Sequence, residues 1–235
     1  RKLEKLKNIK NMLLEKMFAD EKTLKPAIRF KEFTNDWEQR RLGNIVLPYR
    51  IKNNLGLNLK SYSISNKFGF VYQNDFFKNG GKAVFANKKN SLIVEPFSFA
   101  YNPARIDVGS IGYYKNNECC LISPLYEVFK TQENINDNFV LCWFKSNLFS
   151  KIINNNKEGS VRNTLYIRNI LDEFMSIPNI YEQQNISSLF YNLDTSITLH
   201  QRNVFLFIFS LFYIKKVSIN MGVERKNEKI RNTFI

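Results

Sequence analysis

The sequence predicts an α+β fold: one mixed α/β domain flanked by two long helices able to run antiparallel as a coiled-coil-like rod. Two heptad seams at the ends of the chain, and the β-type runs between them, carry that prediction. Near the start, Leu3, Leu6, Lys10, Leu13 and Met17 recur at alternating spacings of three and four, the seam of a helix packed lengthwise on another. Nucleation is costly, so a helix over residues 1–18 needs either an upstream continuation or a partner. Pro26, inside the polar stretch 19–29, marks a linker.

The second seam begins at a start signal. Pro178 precedes Asn179, a candidate N-cap, with Glu182 three residues on. Ile186, Phe190, Leu193, Ile197, His200, Val204, Phe207 and Leu211 then step by four and three, giving a helix over 179–214. Residues 215–235 form a polar, charged tail that is expected to be disordered.

Between the helices, residues 30–178 mix short β-type runs with turn signals. Leu92–Glu95, Phe97–Tyr101, Val108–Tyr114 and Tyr126–Lys130 read as strands, punctuated by Gly80-Gly81 and Asn116-Asn117. A helix is predicted from Ile135 to about Asn155, because Ile135, Phe139, Cys142, Phe149 and Ile153 fall close to one face.

Charge narrows the function. The 235 residues hold 35 Lys and Arg against 21 Asp and Glu, a formal net charge of +14. Such an excess attracts a polyanion, with nucleic acid as the first candidate and a membrane surface as the second. The apolar run Val204–Ile214 falls short of the roughly 20 residues that span a bilayer. No secretory signal is visible at the start. The three cysteines, Cys119, Cys120 and Cys142, include no C-x-x-C pair, and their odd number argues against a disulfide framework. A reducing cytoplasm fits them best. With His200 the single histidine, no zinc ligand set is laid out and no metal is expected.

The chemistry of a DNA-modifying enzyme is not laid out either, and no cofactor is expected. Gly80-Gly81-Lys82-Ala83 has neither the spacing nor the hydroxyl of a phosphate-binding loop. Asn102-Pro103-Ala104-Arg105 shares two residues with the Asn-Pro-Pro-aromatic loop of adenine methyltransferases, without the Gly-rich turn that binds the methyl donor. The acids of the middle domain, chiefly Asp75, Glu95, Asp107, Glu118 and Glu127, form no tight pair to hold a divalent cation at a scissile phosphate. His200 sits on the seam, where a packed histidine is the ordinary case. No catalytic residue is assigned. An autonomous nuclease or methyltransferase with an unrecognised site is the alternative.

What remains is a recognition surface. Lys52, Asn53, Lys60, Ser61, Lys82, Tyr101, Asn102, Arg105, Ser160, Arg162 and Asn163 are of the types that contact phosphates and read base edges. Arg binds guanine bidentately and Asn binds adenine likewise, so Asn102 with Arg105, and Arg162 with Asn163, are the best candidate readers. An ordinary solvated basic surface is the bland alternative.

Three groups of segments together resemble type I restriction-modification specificity subunits. The first is Ile28–Phe33 with Trp37–Gly43, similar to the start of a target-recognition domain in that family. The second is Tyr101–Arg105, Val108–Gly112 and Ser123–Tyr126, similar to its interior. The third is Gly159–Arg162, Ile177-Pro178, Glu182–Gln184 and Ile186, similar to the passage into the following helix. The resemblance covers roughly Lys2 to Arg202. It implies a double-stranded DNA-binding subunit without catalysis of its own, partnered by methyltransferase subunits and, through them, the restriction subunit. Residues 1–18 would then end the central spacer helix, 30–178 form one target-recognition domain, and 179–214 form the distal spacer helix. Leu3, Leu6, Leu13, Met17, Ile186, Phe190, Leu193 and Ile197 would be the packing seam of that spacer. Beyond about Arg202 the chain departs from the polar, Lys- and Leu-rich helix usual in the family. With a single recognition domain, the resemblance further implies a fragment or a half-subunit acting as a homodimer, which would read a palindromic split site.

Overall fold

The computed structural model describes residues 2–20, 22–77, 88–156 and 164–202. Two compact units are distinguished: Asn11–Phe190, and Arg1–Lys10 together with Tyr191–Ile235. Gly80-Gly81, the seam beyond Arg202 and the tail 215–235 lie outside the described residues.

The larger unit is a mixed α/β body whose strands pair antiparallel. In chain order its elements are β1 (Glu38–Arg41), β2 (Val46–Tyr49), β3 (Ile51–Lys52), β4 (Tyr62–Ser65), β5 (Gly69–Tyr72), α2 (Gln73–Phe76), β6 (Leu92–Val94), β7 (Ser98–Tyr101), β8 (Ile111–Tyr114), β9 (Cys120–Ile122), β10 (Glu127–Thr131), α3 (Asp137–Trp143), α4 (Asn147–Asn156) and β11 (Phe174–Ile177). They follow α1 (Lys2–Lys16) and precede α5 (180–202). One sheet has the order β2-β10-β7-β8 and a second β3-β6-β9, while β4-β5 and β1-β11 are two-stranded ribbons. Pro48 is tolerated in β2 because that strand is an edge, where a missing N–H breaks no ladder.

Three of these sheets share one apolar core. Ile64 comes from the β4-β5 ribbon, Leu92, Val94, Cys120 and Ile122 from the three-stranded sheet, and Ala100, Tyr114 and Val128 from the four-stranded one. A second, aromatic core lies against the helices: Phe99 stacks on Phe129 at 4.8 Å, and Phe129, Phe144 and Phe149 continue the chain. Each such ring removes a large apolar area from water and adds an oriented contact.

The strands predicted at 92–95, 97–101 and 126–130 are present as β6, β7 and β10, and the one predicted at 108–114 forms only over Ile111–Tyr114 as β8, because Val108 ends a 3-10 turn closed by Gly109. The helix predicted from Ile135 to Asn155 is instead two helices. Buried Ser146 donates to the Trp143 carbonyl through both its N–H, at 2.9 Å, and its Oγ, at 2.7 Å, taking the acceptor that a continuing helix would use and ending α3. The stretch 19–29, expected as a linker, is packed in part: Ala19 and Pro26 are buried, and Phe18 just before it lies on Trp37, Phe139 and Phe190.

The ends of this unit are brought together by β1 pairing with β11, Glu38 opposite Ile177 and Arg41 opposite Phe174. Asn179 caps α5, its Oδ1 accepting from the Glu182 N–H at 3.0 Å. The Glu182 carboxylate does not close a reciprocal box. It takes Arg29 bidentately, from Nε at 2.7 Å and Nη2 at 2.8 Å, with no solvent exposure of its own. Gln183 links the same turn to α3, accepting from the Asn136 N–H at 2.8 Å.

Leu13 is half-buried in this unit, whereas Met17, Ile186 and Phe190 are buried. In the smaller unit Leu3, Leu6, Leu193 and Ile197 are half-buried, Lys10 pairs with Asp194, and His200 bonds through Nδ1 to the Ser196 carbonyl at 2.8 Å. No described helix is long and apolar enough to cross a membrane.

Breaking the Arg29–Glu182 pair from one side strands a buried charge. Arg29→Met and Glu182→Leu are each expected to cost about 3–5 kcal/mol in urea unfolding, and the double substitution less than either.

Candidate nucleic-acid interface

The best-built candidate for a recognition element is the loop from Asn102 to Ser110. Tyr101, which precedes it, is 1% exposed and donates its hydroxyl to the Leu165 carbonyl at 2.8 Å. Burial, with the Glu127 charge adding, pushes its phenol well above the ordinary value, so it stays a neutral donor. Asn102 adopts extended backbone and caps the next turn, its Oδ1 accepting from Ala104 N–H at 3.1 Å. Pro103 presets the first position of that 3-10 turn, and its carbonyl accepts from Leu165 N–H. Gly109 closes the turn at φ +77°, a left-handed conformation that other residues enter at a cost. The Asn102 N–H to Ser110 carbonyl bond, 3.1 Å, shuts the loop at its base.

This frame buries Pro103 and Ile106 and leaves Ala104, Arg105, Asp107 and Val108 outward. Arg105 sits at φ −138°, ψ 17°, off the helical path, with an exposed side chain. It forms no ion pair with a described residue. A guanidinium held on a rigid backbone and unpaired is free to take a guanine edge or a phosphate.

A second group forms around Lys60 and Ser61. Their backbones are fixed by Leu121 N–H donating to the Lys60 carbonyl at 2.9 Å and Gln73 N–H to the Ser61 carbonyl at 3.0 Å. Lys60 is exposed and borders two clefts of about 400 and 440 Å³. Amide and cationic side chains predominate there: Asn58, Asn74 and Lys88 on one side, Asn116 and Asn117 on the other.

The two groups are joined by the β4-β5 ribbon. Ser61 precedes β4, and Ser110 donates through Oγ to the Ile64 carbonyl at 3.2 Å near its other end. At the usual strand rise Ser61 and Ile64 stand about 10 Å apart, within the width of a major groove. The ribbon lies directly on β8: a Cβ at Gly112 would meet Phe70 N at 2.9 Å and Gly69 Cα at 3.0 Å, so glycine alone permits the approach.

Several expected readers are corrected by these contacts. Tyr101 is core and braces the loop from beneath. Asn102 spends its carbonyl oxygen on the cap, so it shapes the loop and does not offer a bidentate amide. Asn53, 0% exposed, braces the 53–57 turn by accepting from Leu57 N–H and donating to the Leu57 and Lys88 carbonyls. Lys52 is exposed on β3. Lys82, Ser160, Arg162 and Asn163 lie outside the described residues. Sequence reasoning missed the ribbon and the amide-lined clefts, although two alternating runs around Asn66-Lys67-Phe68-Gly69 were a hairpin signal. The Cys120 thiol is pushed up to about 12 by burial, which keeps it a protonated core group.

Gly109→Ala should cost about 1–2 kcal/mol from its left-handed backbone alone, and Asn102→Ala about 1 kcal/mol from the lost cap. Thermal unfolding of both variants checks these values.

No protein-family model matches the sequence, and no curated protein is significantly similar to it. Solved structures do share its fold. The HsdS subunit from Thermoanaerobacter tengcongensis is 13% identical with a TM-score of 0.56, over 86% of this chain and 46% of that one. A chain from a solved type I R-M system gives 13% identity and a TM-score of 0.57, over 86% and 47%. The type I restriction-modification S subunit from M. genitalium gives 13% and 0.50, over 86% and 50%. The chain spans about half the length of each, and over that span its fold is that of type I restriction-modification specificity subunits.

Proposed function

We propose that this chain is the specificity subunit, or one half of it, of a type I restriction-modification complex, binding double-stranded DNA sequence-specifically. The observation that carries the reading is the specificity-subunit fold over 86% of the chain. A net charge of +14 and the rigid loop presenting Arg105 support it. In this reading residues 30–178 are one target-recognition domain, and lysine and arginine contacts to phosphates set its register. Arg105 and the groups along the β4-β5 ribbon choose the sequence through base edges.

The flanking helices then serve as the spacer that holds methyltransferase subunits and, through them, the restriction subunit, in the cytoplasm. Residues 1–18 belong to the central spacer helix, joined to the recognition domain by 19–29, and the distal spacer helix starts at Asn179. Two copies related by a twofold axis would read a palindromic split site. Chemistry resides in the partner subunits, and no observation favours an autonomous nuclease or methyltransferase.

Arg105→Ala is expected to cost about 1–3 kcal/mol on the preferred duplex and far less on unrelated sequences. Fluorescence-anisotropy titrations on a selected and a scrambled duplex measure the difference. Equal weakening on both would make Arg105 a phosphate contact.

A further inference from the structure

A cluster of aromatic side chains at the free end of the β4-β5 ribbon is not used by the core. Phe68, Phe76 and Phe77 are 61%, 47% and 40% exposed, and Phe76 meets each of the other two edge to face. Contiguous exposed aromatics lose favourable burial, so an array of them marks a contact surface more often than chance.

The surroundings indicate which contact. Lys67 lies over the Phe68 ring, its Nζ 5.0 Å from the centroid. Lys60 and Lys88 stand at the other end of the ribbon, while Arg105 belongs to the loop bonded to Ile64. The acids on the neighbouring elements are Asp75 on α2, Asp107 in the Arg105 loop and Glu118 beside the second cleft. Cations and amides thus line the ribbon behind an apolar tip. That combination suits nucleic acid, whose bases offer flat apolar faces and thymine methyls inside a cage of phosphates. An apolar peptide groove would place aliphatic neighbours there instead.

The backbone of the tip is held in advance of any contact. Ser65 Oγ accepts from the N–H groups of Lys67 and Phe68 at 3.2 and 3.3 Å, and Gly69 turns the chain at φ +65°. The opposite face of the ribbon is seated on Gly112. A preorganised tip of this kind loses little conformational entropy on binding. A two-stranded ribbon is also one of the few elements that a major groove admits.

We propose that the β4-β5 ribbon enters the groove of the bound duplex, with Phe68 against nucleobases and Lys67 against the adjoining phosphate. This rests on the DNA-binding reading and adds to it an element separate from the Arg105 loop. The ribbon would place apolar contacts between the polar ones supplied by Arg105 and Lys60, and Phe68 would favour thymine at the step it meets.

The test uses the full chain and duplexes selected by it from a random-sequence pool, with 5-iodouracil replacing thymine. Irradiation of the wild-type complex should crosslink the peptide that carries Phe68. Phe68→Ala should remove that crosslink and weaken the selected duplex about tenfold relative to scrambled DNA. Lys67→Ala should weaken both duplexes alike and lower the salt slope by about one. Both residues are exposed, so circular dichroism should show the variants folded. Unchanged affinity of Phe68→Ala, with the crosslink elsewhere, overturns the ribbon proposal and leaves the DNA-binding reading standing. A loss of methyltransferase-subunit capture by Phe68→Ala at unchanged DNA affinity overturns it in favour of a protein contact. A wild-type chain that selects no duplex defeats both readings together.

Discussion

A carboxylate with no solvent exposure survives only if it is paired, and Glu182 is the point on which the larger unit closes. Its two oxygens are taken by Nε and Nη2 of Arg29, and the same guanidinium reaches the Asn35 carbonyl at 2.6 Å. One fork thus fixes the segment leading into the domain against the first turn of the helix leaving it. Around that fork β1 pairs with β11, and Phe18, Trp37, Phe139 and Phe190 fill the adjoining space. The antiparallel body is hung from this closure. Without it the chain would bury one charge unpaired and lose the register of both terminal segments.

From the closed base the sheets carry two exposed turns outward. The buried Cys120 is held protonated, and Tyr101 is a brace. Rigidity is put into backbone turns that end in exposed side chains. The Asn102 cap, Pro103 and Gly109 hold one such turn, and Ser65 with Gly69 holds another. The Ser110 bond to Ile64 couples them. A surface organised this way discriminates by fit, since little of it can rearrange to accommodate a wrong partner.

Parts of the plan were legible in the sequence because a local signal matched the tertiary outcome. Asn179 caps α5 where the spacing placed it, and β6, β7, β8 and β10 coincide with apolar runs long enough to read. Strands β1 and β3 were not legible: Glu38–Arg41 is mostly exposed and charged, and Ile51–Lys52 is two residues long. Their partners, far away in sequence, create them. The single helix expected over 135–155 failed at Ser146, whose hydroxyl competes for the Trp143 carbonyl. Site reading failed in a parallel manner. Tyr101 and Asn53 have the chemistry of base readers, but residue type does not report burial.

Co-expression with the proposed methyltransferase partner subunit, followed by sequencing of modified adenines, measures sequence choice directly. A specificity subunit should direct methylation to one split motif, absent when this chain is omitted and palindromic if two copies act together. Methylation that does not depend on the chain, or a stable complex that modifies no defined sequence, would contradict the assignment of DNA specificity to it.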